Sequence, residues 1–226
     1  MTARFIIFAN IMIVENILKI QQEIGQKAEL VIVSKYRTID DIKEAYNTGH
    51  RQFAENRVQA LLERAEQLPK DIQWHLIGHL QSNKVKFIIP FIYMIQSVDS
   101  LKLLKDINEQ AKKQQTGIDC LLQIAIADED TKFGMSEALC KELLQSAEFK
   151  QLKHIKIRGL MGMATNTDDN EKIRQEFTGL KAFFDELKTT FNLPDFNVLS
   201  MGMSGDYMLA IDCGSNMIRV GSKVFG

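Results

Sequence analysis

The hydrophobic pattern of this 226-residue chain changes its period repeatedly, and that alternation restricts the fold more than any single motif does. Short continuous runs of Val, Ile and Leu are typical of parallel strands that are buried on both faces. They alternate with longer segments whose apolar residues recur at helical spacing, in units of about 25 to 35 residues. The pattern therefore predicts an α/β protein built from eight βα units.

Capping residues, glycines and one proline mark the boundaries of these segments. The predicted strands are 30–35, 52–56, 72–78, 93–98, 118–127, 155–164, 197–203 and 217–224. The predicted helices between them are 38–49, 57–68, 82–89, 99–115, 136–149, 169–191 and 207–212. Thr38 and Asp99 are expected to cap the first and fourth of these helices, and Pro194 to lie in the loop before the seventh strand.

Eight βα units without a linker or a change of composition favour one TIM (β/α)8 barrel, which commonly needs 200 to 250 residues. The runner-up is a doubly wound open sheet, but no G-x-G-x-x-G fingerprint follows the first strand. The eighth predicted strand runs almost to the C-terminus, so the last helix of a standard barrel is missing. We expect one domain, 1–226, in which an N-terminal helix (1–27) covers that gap in the barrel (28–226).

The N-terminal segment allows a second interpretation. Arg4 followed by the apolar stretch 5–14 loosely resembles a signal peptide, although the stretch is too short to span a membrane and no A-x-A-like site follows it. Ile13, Ile17 and Ile20 continue at helical spacing with charged residues between them. We favour an amphipathic helix that packs on the domain, and a targeting role remains the alternative.

Charge and cysteine content narrow the class of protein. A net charge of −1 provides no electrostatic reason to expect binding to nucleic acid or to an anionic membrane. Cys120, Cys140 and Cys213 are odd in number and lack metal-like spacing, which predicts free thiols in a reducing compartment. The expected location is the cytoplasm.

Lys35 ends the first apolar run, LVIVSK at 30–35. Because α/β folds place their chemistry at the C-terminal ends of parallel strands, an amine there is a candidate covalent nucleophile. The alternative is a lysine whose stem covers the core while its ammonium reaches water. The other candidate residues at predicted strand ends are Ser34, Glu55, Asn56, His75, Gly78, His79, Met161, Met163, Ser204, Arg219, Gly221 and Ser222.

Two Gly/Ser segments, 202–206 and 219–222, follow strands seven and eight. TIM barrels often bind phosphate there through backbone N–H groups and hydroxyls, although either segment alone is more typical of ordinary turns. Together with Lys35 they predict an amine opposite a phosphate site. Pyridoxal 5′-phosphate (PLP), a phosphate joined to an aldehyde, is the commonest cofactor that binds to lysine as a Schiff base.

These residues carry a resemblance that extends over nearly the whole chain. In order they are LVIVSK at 30–35, FAEN at 53–56, WHLIGHLQSNK at 74–84, RGLM at 158–161, GMS at 202–204 with Asp206, and GSNMIRVGSKVFG at 214–226. The chain resembles the pyridoxal phosphate homeostasis proteins, the YggS/PROSC group. The resemblance implies a single TIM barrel similar to the N-terminal domain of alanine racemase and of bacterial-type ornithine decarboxylase.

The resemblance also implies roles for individual residues. Lys35 would hold PLP as a Schiff base, and Asn56 would approach the side of the ring that carries the hydroxyl. Ser204, Gly221 and Ser222 would hold the phosphate. Arg219 would face the pyridine nitrogen, and Met161 would belong to the cofactor pocket.

The chain departs from the family pattern at three points. Ser222 stands where many relatives have Thr, Ala54 replaces a frequent Gly, and the segment before Ala28 matches poorly. His75 and His79 could act as general acids, but we favour a hydrogen-bonded structural role for each. We expect Asp206 to cap a helix or fix a loop and not to be catalytic.

Two features predict a carrier and not an enzyme. A guanidinium facing the ring nitrogen disfavours the pyridinium form, which weakens the ring as an electron sink. Racemases of this barrel type also add a second domain that supplies the opposite-face base, and no such domain is expected after Gly226. We expect a monomer that stores, buffers or delivers PLP. PLP-dependent apoenzymes are possible recipients. The alternatives are a small amino-acid racemase and a Schiff-base aldolase that uses Lys35 without PLP.

Overall fold

The computed structural model describes residues 2–127, 134–193 and 195–226, and only the helical backbone of residues 2–11. Eight parallel strands close into a barrel in the order of the sequence, and β1 pairs with β8 from Glu29 opposite Met217 to Ile32 opposite Val220. The strands are β1 Glu29–Val33, β2 Gln52–Glu55, β3 Gln73–Leu76, β4 Ile92–Val98, β5 Ile118–Ile124, β6 Ile155–Gly162, β7 Val198–Ser200 and β8 Met217–Val220. The predicted TIM barrel is confirmed, and the open sheet is excluded.

Helices surround the barrel and bury one face each against it. They are α1 Thr2–Ile24, α2 Ile39–Asn47, α3 Val58–Gln67, α4 Val85–Ile88, α5 Leu101–Lys113, α6 Glu137–Gln145, α7 Ala147–Lys150, α8 Asn170–Thr190, α9 Tyr207–Asp212 and α10 Ser222–Phe225. A 3₁₀ turn, Ser82–Lys84, precedes α4. Thr38 caps α2 as predicted, by accepting a hydrogen bond from the N–H of Asp41.

The N-terminal helix α1 packs where a barrel of this type places its last helix, between α2 and α10. Ile13, Ile17, Ile20 and Ile24, which follow each other at helical spacing, are all buried in the core between barrel and helices. The side-chain amide of Asn16 donates to the carbonyl of Val224 at 3.1 Å, which ties α1 to the C-terminal segment. In the part of the chain that the structure describes, none of the helices combines the length and hydrophobicity that crossing a bilayer requires.

Several predicted boundaries were wrong, each for a local reason. Ser100, and not Asp99, caps α5, because its hydroxyl accepts from the N–H of Leu103 at 3.3 Å. The predicted helix 136–149 is broken at Ser146, whose extended backbone (ψ 146°) ends α6 while its hydroxyl caps α7. β1 ends at Val33, so that Lys35 lies in the following loop.

The last predicted strand is also too long. β8 ends at Val220, and residues 222–225 form the short helix α10. Pro194, expected before the seventh strand, lies outside the described residues.

One close approach inside the sheet depends on a glycine. A Cβ at Gly159 in β6 would lie 1.7 Å from the carbonyl oxygen of Val198 in β7, and Gly159 has φ 155°. A larger residue is excluded at this position because the obstruction is backbone, which cannot move aside without opening the pairing of the two strands.

Apolar side chains cover both faces of the closed sheet in two separate layers. The larger one fills the space between strands and helices. The smaller one lies inside the barrel and contains Val31, Val33, Ala54, Met94, Leu121, Met161 and Met217. Polar side chains interrupt this interior at His75, Gln96, Ser200 and Arg219, all of which are at least 97% buried. Since barrel interiors are normally filled by Val, Ile and Leu, this polar layer calls for a functional explanation.

Candidate functional site

A cavity of about 760 Å³ opens at the C-terminal ends of the strands. Loops after β1, β2, β3, β6, β7 and β8 contribute to its wall, because parallel strands bring their C-terminal ends to one rim. Six of the seven predicted binding residues line this cavity. They are Lys35, Asn56, Ser204, Arg219, Gly221 and Ser222.

The seventh predicted residue, Met161, does not line the cavity. It is fully buried within the barrel interior, and Met163, two residues further along, lines the cavity instead. Residues i and i+2 of a strand share a face, so both methionines point inward, but Met161 lies one layer deeper. Sequence reasoning also did not single out Tyr36 and Arg57, which are part of the cavity wall.

Lys35 is solvent-exposed in the loop that follows β1. Among the described residues, no hydrogen bond or ion pair engages its ammonium group. Its neighbour Ser34 is buried and donates to a carboxylate oxygen of Glu55 at 2.5 Å. Lys35 therefore has an amine without a hydrogen bond or ion pair among the described residues. The backbone next to it is held in place by the buried Ser34.

The loops after the neighbouring strands β7 and β8 bring several hydrogen-bonding groups close together. The hydroxyl oxygen of Ser204 accepts from the backbone N–H groups of Gly221 at 3.2 Å and of Lys223 at 3.4 Å. Asp206 holds the loop of Ser204 in shape, since its carboxylate accepts from the N–H of Met203 at 2.6 Å. A hydroxyl that already accepts two bonds has its own proton free for an outside acceptor. This corner suits an anion with several oxygens.

The backbone at this corner leaves little room for side chains. A Cβ at Gly221 would lie 3.0 Å from the carbonyl oxygen of Val33, and Gly202 has φ 98° with Tyr207 and Ala210 close by. The backbones of Asn56 and Gly78 also approach closely, because a Cβ at Gly78 would lie 2.1 Å from the carbonyl oxygen of Asn56. The glycines allow neighbouring loops to approach closely enough to form one rim.

Arg219 forms the floor of the cavity. Its guanidinium donates to the hydroxyl of Ser200 at 2.6 Å and to the carbonyl of Gly162 at 2.9 Å. Burial lowers the pKa of Arg219 to about 10, and the negative charge of Asp206 offsets part of this effect by raising the pKa. Arg219 consequently remains a cation at neutral pH, with a fixed orientation.

The polar layer of the barrel interior is a chain of hydrogen bonds that ends on Arg219. Ser200 donates to the side-chain oxygen of Gln96 at 2.7 Å, and the Gln96 amide donates to Nδ1 of His75 at 2.9 Å. Burial lowers the pKa of His75 to about 3, with a smaller contribution from His50. His75 is thus neutral, with Nδ1 as acceptor, and its role is that of a buried hydrogen-bonded core residue.

His79 lies at the rim and not in the interior. Its Nδ1 is 3.2 Å from a carboxylate oxygen of Asp99, and it is part of the cavity wall. No group of three or more His, Cys, Asp or Glu suited to a metal ion occurs in the residues that the structure describes. The polar groups at this rim are an amine, amides, hydroxyls, guanidinium groups and the imidazole of His79.

These donors fit PLP in particular. An exposed amine is present for an aldehyde, and the hydroxyls of Ser204 and Ser222 are present for a phosphate. A buried cation, Arg219, lies at the floor of the same cavity.

Comparison with known proteins agrees with this geometry. Residues 12–226 match the family model "Alanine racemase, N-terminal domain". The chain is 35% identical to the pyridoxal phosphate homeostasis protein of Pasteurella multocida, over 94% of this chain and 96% of the relative. It is also 35% identical to the protein of that name from Schizosaccharomyces pombe, over 89% and 85% of the two chains.

Solved structures give the same result. PipY of Synechococcus elongatus with PLP bound superposes with a TM-score of 0.84 at 33% identity, covering 95% of this chain and all of that one. Alanine racemase of Bartonella henselae, at 16% identity and a TM-score of 0.73, shares the fold and covers 96% of this chain but 59% of its own. The chain therefore belongs to the family of pyridoxal phosphate homeostasis proteins, which is built on the alanine racemase N-terminal barrel.

Proposed function

We propose that this protein binds PLP at the barrel mouth and stores, buffers or delivers it, with Lys35 as the residue of covalent attachment. The observation that carries the proposal is the placement of an unpaired amine and an anion-binding corner in one cavity. Relatives that carry the homeostasis name, and PipY with PLP bound, support the same assignment.

Each residue of the site has a defined task in this proposal. When bound, PLP supplies an aldehyde that condenses with an amine and a ring that withdraws electrons. Ser204 would donate its free hydroxyl proton to the phosphate, with Gly221 and Ser222 completing the corner. Asn56 would lie on the hydroxyl side of the ring and Met163 would line the cavity around it, while Met161 packs one layer below.

Arg219 determines how reactive the bound ring is. Its guanidinium is charged at neutral pH and is held by Ser200 and Gly162, so it offers the ring nitrogen a donor and no proton acceptor. A ring nitrogen that stays unprotonated withdraws electrons weakly. This is a physical reason to propose a carrier without robust turnover.

Covalent mapping tests the attachment. We expect the protein to be yellow as purified, and borohydride reduction followed by peptide mass mapping to place the pyridoxyl group on Lys35. The Lys35→Ala variant should lose this adduct and the visible absorbance. Lys84→Ala serves as the matched control and should retain both. An adduct on Lys84 or Lys223 would refute the assignment, and a colourless protein that forms a lysine adduct with a sugar phosphate would favour the aldolase.

Steady-state assays test the absence of robust catalysis. With alanine, serine and other common amino acids, we expect racemisation, decarboxylation and transamination to stay at the level of the Lys35→Ala variant at high protein concentration. The physical reason is the weak electron sink opposite Arg219. Substantial turnover that depends on Lys35 would instead establish the racemase alternative.

We further propose that the protein acts in the cytoplasm as a monomer and hands PLP to PLP-dependent apoenzymes. Cysteines without a disulfide partner agree with a reducing compartment. Cys120 and Cys140 lie in the core, and burial raises the pKa of the Cys140 thiol to about 12, which makes it unreactive.

A further inference from the structure

The turn that carries Lys35 has an unfavourable backbone. The N–H of Arg37 donates to the carbonyl of Ser34 at 3.1 Å, which closes a four-residue turn with Lys35 in its second position. The third position is Tyr36, which has φ 64°. Turns with a left-handed residue at this position prefer Gly or Asn, because a side chain there meets the following carbonyl.

Packing of the Tyr36 ring does not explain this conformation, because the residue is 77% exposed. A strained backbone of this kind persists only when its surroundings hold it in place. The anchoring contacts must therefore act on the residues on either side of Tyr36. The N–H of Ser34 donates to the carbonyl of Ala54 at 3.0 Å, and the Arg37 side chain donates to the carbonyl of Gly226 at 3.0 Å.

Two further charged side chains bind the turn from below and connect its two ends. Glu55, at the end of β2, is fully buried and accepts from the hydroxyl of Ser34, the first residue of the turn. Arg64, from α3, donates to the carbonyl of Arg37, the last residue of the turn, at 2.9 Å. Its other terminal nitrogen is 2.9 Å from a carboxylate oxygen of Glu55. The ion pair thus bridges the two ends of the turn.

Such a pair costs desolvation energy, and a well-packed apolar pair is often as stable or more stable. An apolar pair could not make the hydrogen bonds that Glu55 and Arg64 make with the turn. We propose that Glu55 and Arg64 are positioning residues that hold the Lys35 turn in its left-handed conformation and thereby direct the Lys35 amine into the cavity. This inference rests on the proposed attachment of PLP to Lys35.

The Arg64→Lys variant tests the pair, because an ammonium keeps the charge but does not reproduce the fork that reaches Glu55 and Arg37 together. Arg51→Lys is the matched control. The guanidinium of Arg51 likewise contacts both a carboxylate, that of Asp71 at 2.7 Å, and backbone carbonyls. Arg51 precedes β2, so it lies at the end of the barrel opposite the cavity. Ser34→Ala is a milder second variant. It removes the bond from the turn to Glu55, together with the longer contact of the same hydroxyl with the carbonyl of Ala54 at 3.3 Å.

The first measurement needs no cofactor. Hydrogen exchange of peptides that span residues 34–38 should be about tenfold faster in Arg64→Lys and Ser34→Ala than in the wild type or Arg51→Lys, since the turn opens locally. Unchanged exchange in both variants would overturn the proposed clamp, whether or not PLP binds.

The second measurement separates positioning of the amine from general damage to the site. PLP can attach to Lys35, whereas pyridoxine 5′-phosphate has the same ring and phosphate but no aldehyde. We expect Arg64→Lys to slow PLP attachment about tenfold, as a misplaced reacting group does, while affinity for pyridoxine phosphate changes less than about twofold. Equal losses for both ligands would refute a role in positioning Lys35. If the wild type fails to attach PLP, the proposed function fails, and the exchange measurement still decides the clamp.

Discussion

Replacing Ser204 with alanine should weaken PLP binding by about 1 to 3 kcal/mol, the free energy of a lost charge-assisted hydrogen bond. The Ser204 hydroxyl accepts from the N–H groups of Gly221 and Lys223, which leaves its proton for the phosphate. Affinity for pyridoxal, which lacks the phosphate, should change little. Ser222→Ala should behave in the same way. Equilibrium titration with both ligands measures the difference.

A serine that caps a helix away from the cavity is the control for this prediction. The hydroxyl of Ser136 accepts from the N–H of Leu139 at 3.2 Å at the start of α6. Ser136→Ala should reduce stability by about 1 kcal/mol and leave affinity for PLP unchanged. If Ser204→Ala weakened PLP and pyridoxal equally, Ser204 would be a fold element and not a phosphate contact.

Acid should destabilise the barrel through His75. Burial lowers the pKa of this histidine from 6.5 to about 3 in the folded state. Between these values the unfolded chain binds the proton and the folded chain does not, so the free energy of unfolding falls as the pH falls through this range. At about 1.4 kcal/mol per pH unit, His75 should account for a loss of about 3 kcal/mol between pH 6.5 and pH 4.

Urea unfolding of the wild type and of His75→Gln at pH 7 and pH 4 measures this contribution. Glutamine does not titrate and retains an acceptor for Gln96, so the variant should lose about 3 kcal/mol less than the wild type over the same range. An equal loss of stability in wild type and His75→Gln would show that the buried histidine is not responsible.

The barrel was predictable from local pattern. Strands covered on both faces are continuously apolar, and helices that pack on them are apolar on one side only, so the alternation of the two patterns specified a parallel sheet covered by helices. Eight such units without a break favoured a closed barrel over an open sheet. Parallel strands share one C-terminal rim. The position of Lys35, Ser204, Arg219 and Gly221 along the chain therefore sufficed to predict that they would meet.

Depth within the barrel was not predictable in the same way. The alternation of inward and outward residues places Met161 and Met163 on the same face, but it does not say where the packed interior ends and the cavity begins. The structure places that limit between the two methionines. Boundaries at Ser100, Ser146 and Gly221 were likewise decided by particular hydrogen bonds and backbone angles, which a hydrophobic pattern does not encode.

The sequence alone thus determined the fold, the family resemblance and most members of the rim, because these follow from periodicity and from short motifs. Only the tertiary structure revealed the pairing of Glu55 with Arg64 beneath Lys35, and the chain from His75 through Gln96 and Ser200 to Arg219. These contacts join residues from different strands and helices. Their partners depend on how the closed sheet sets the register between strands, which no local stretch of sequence specifies.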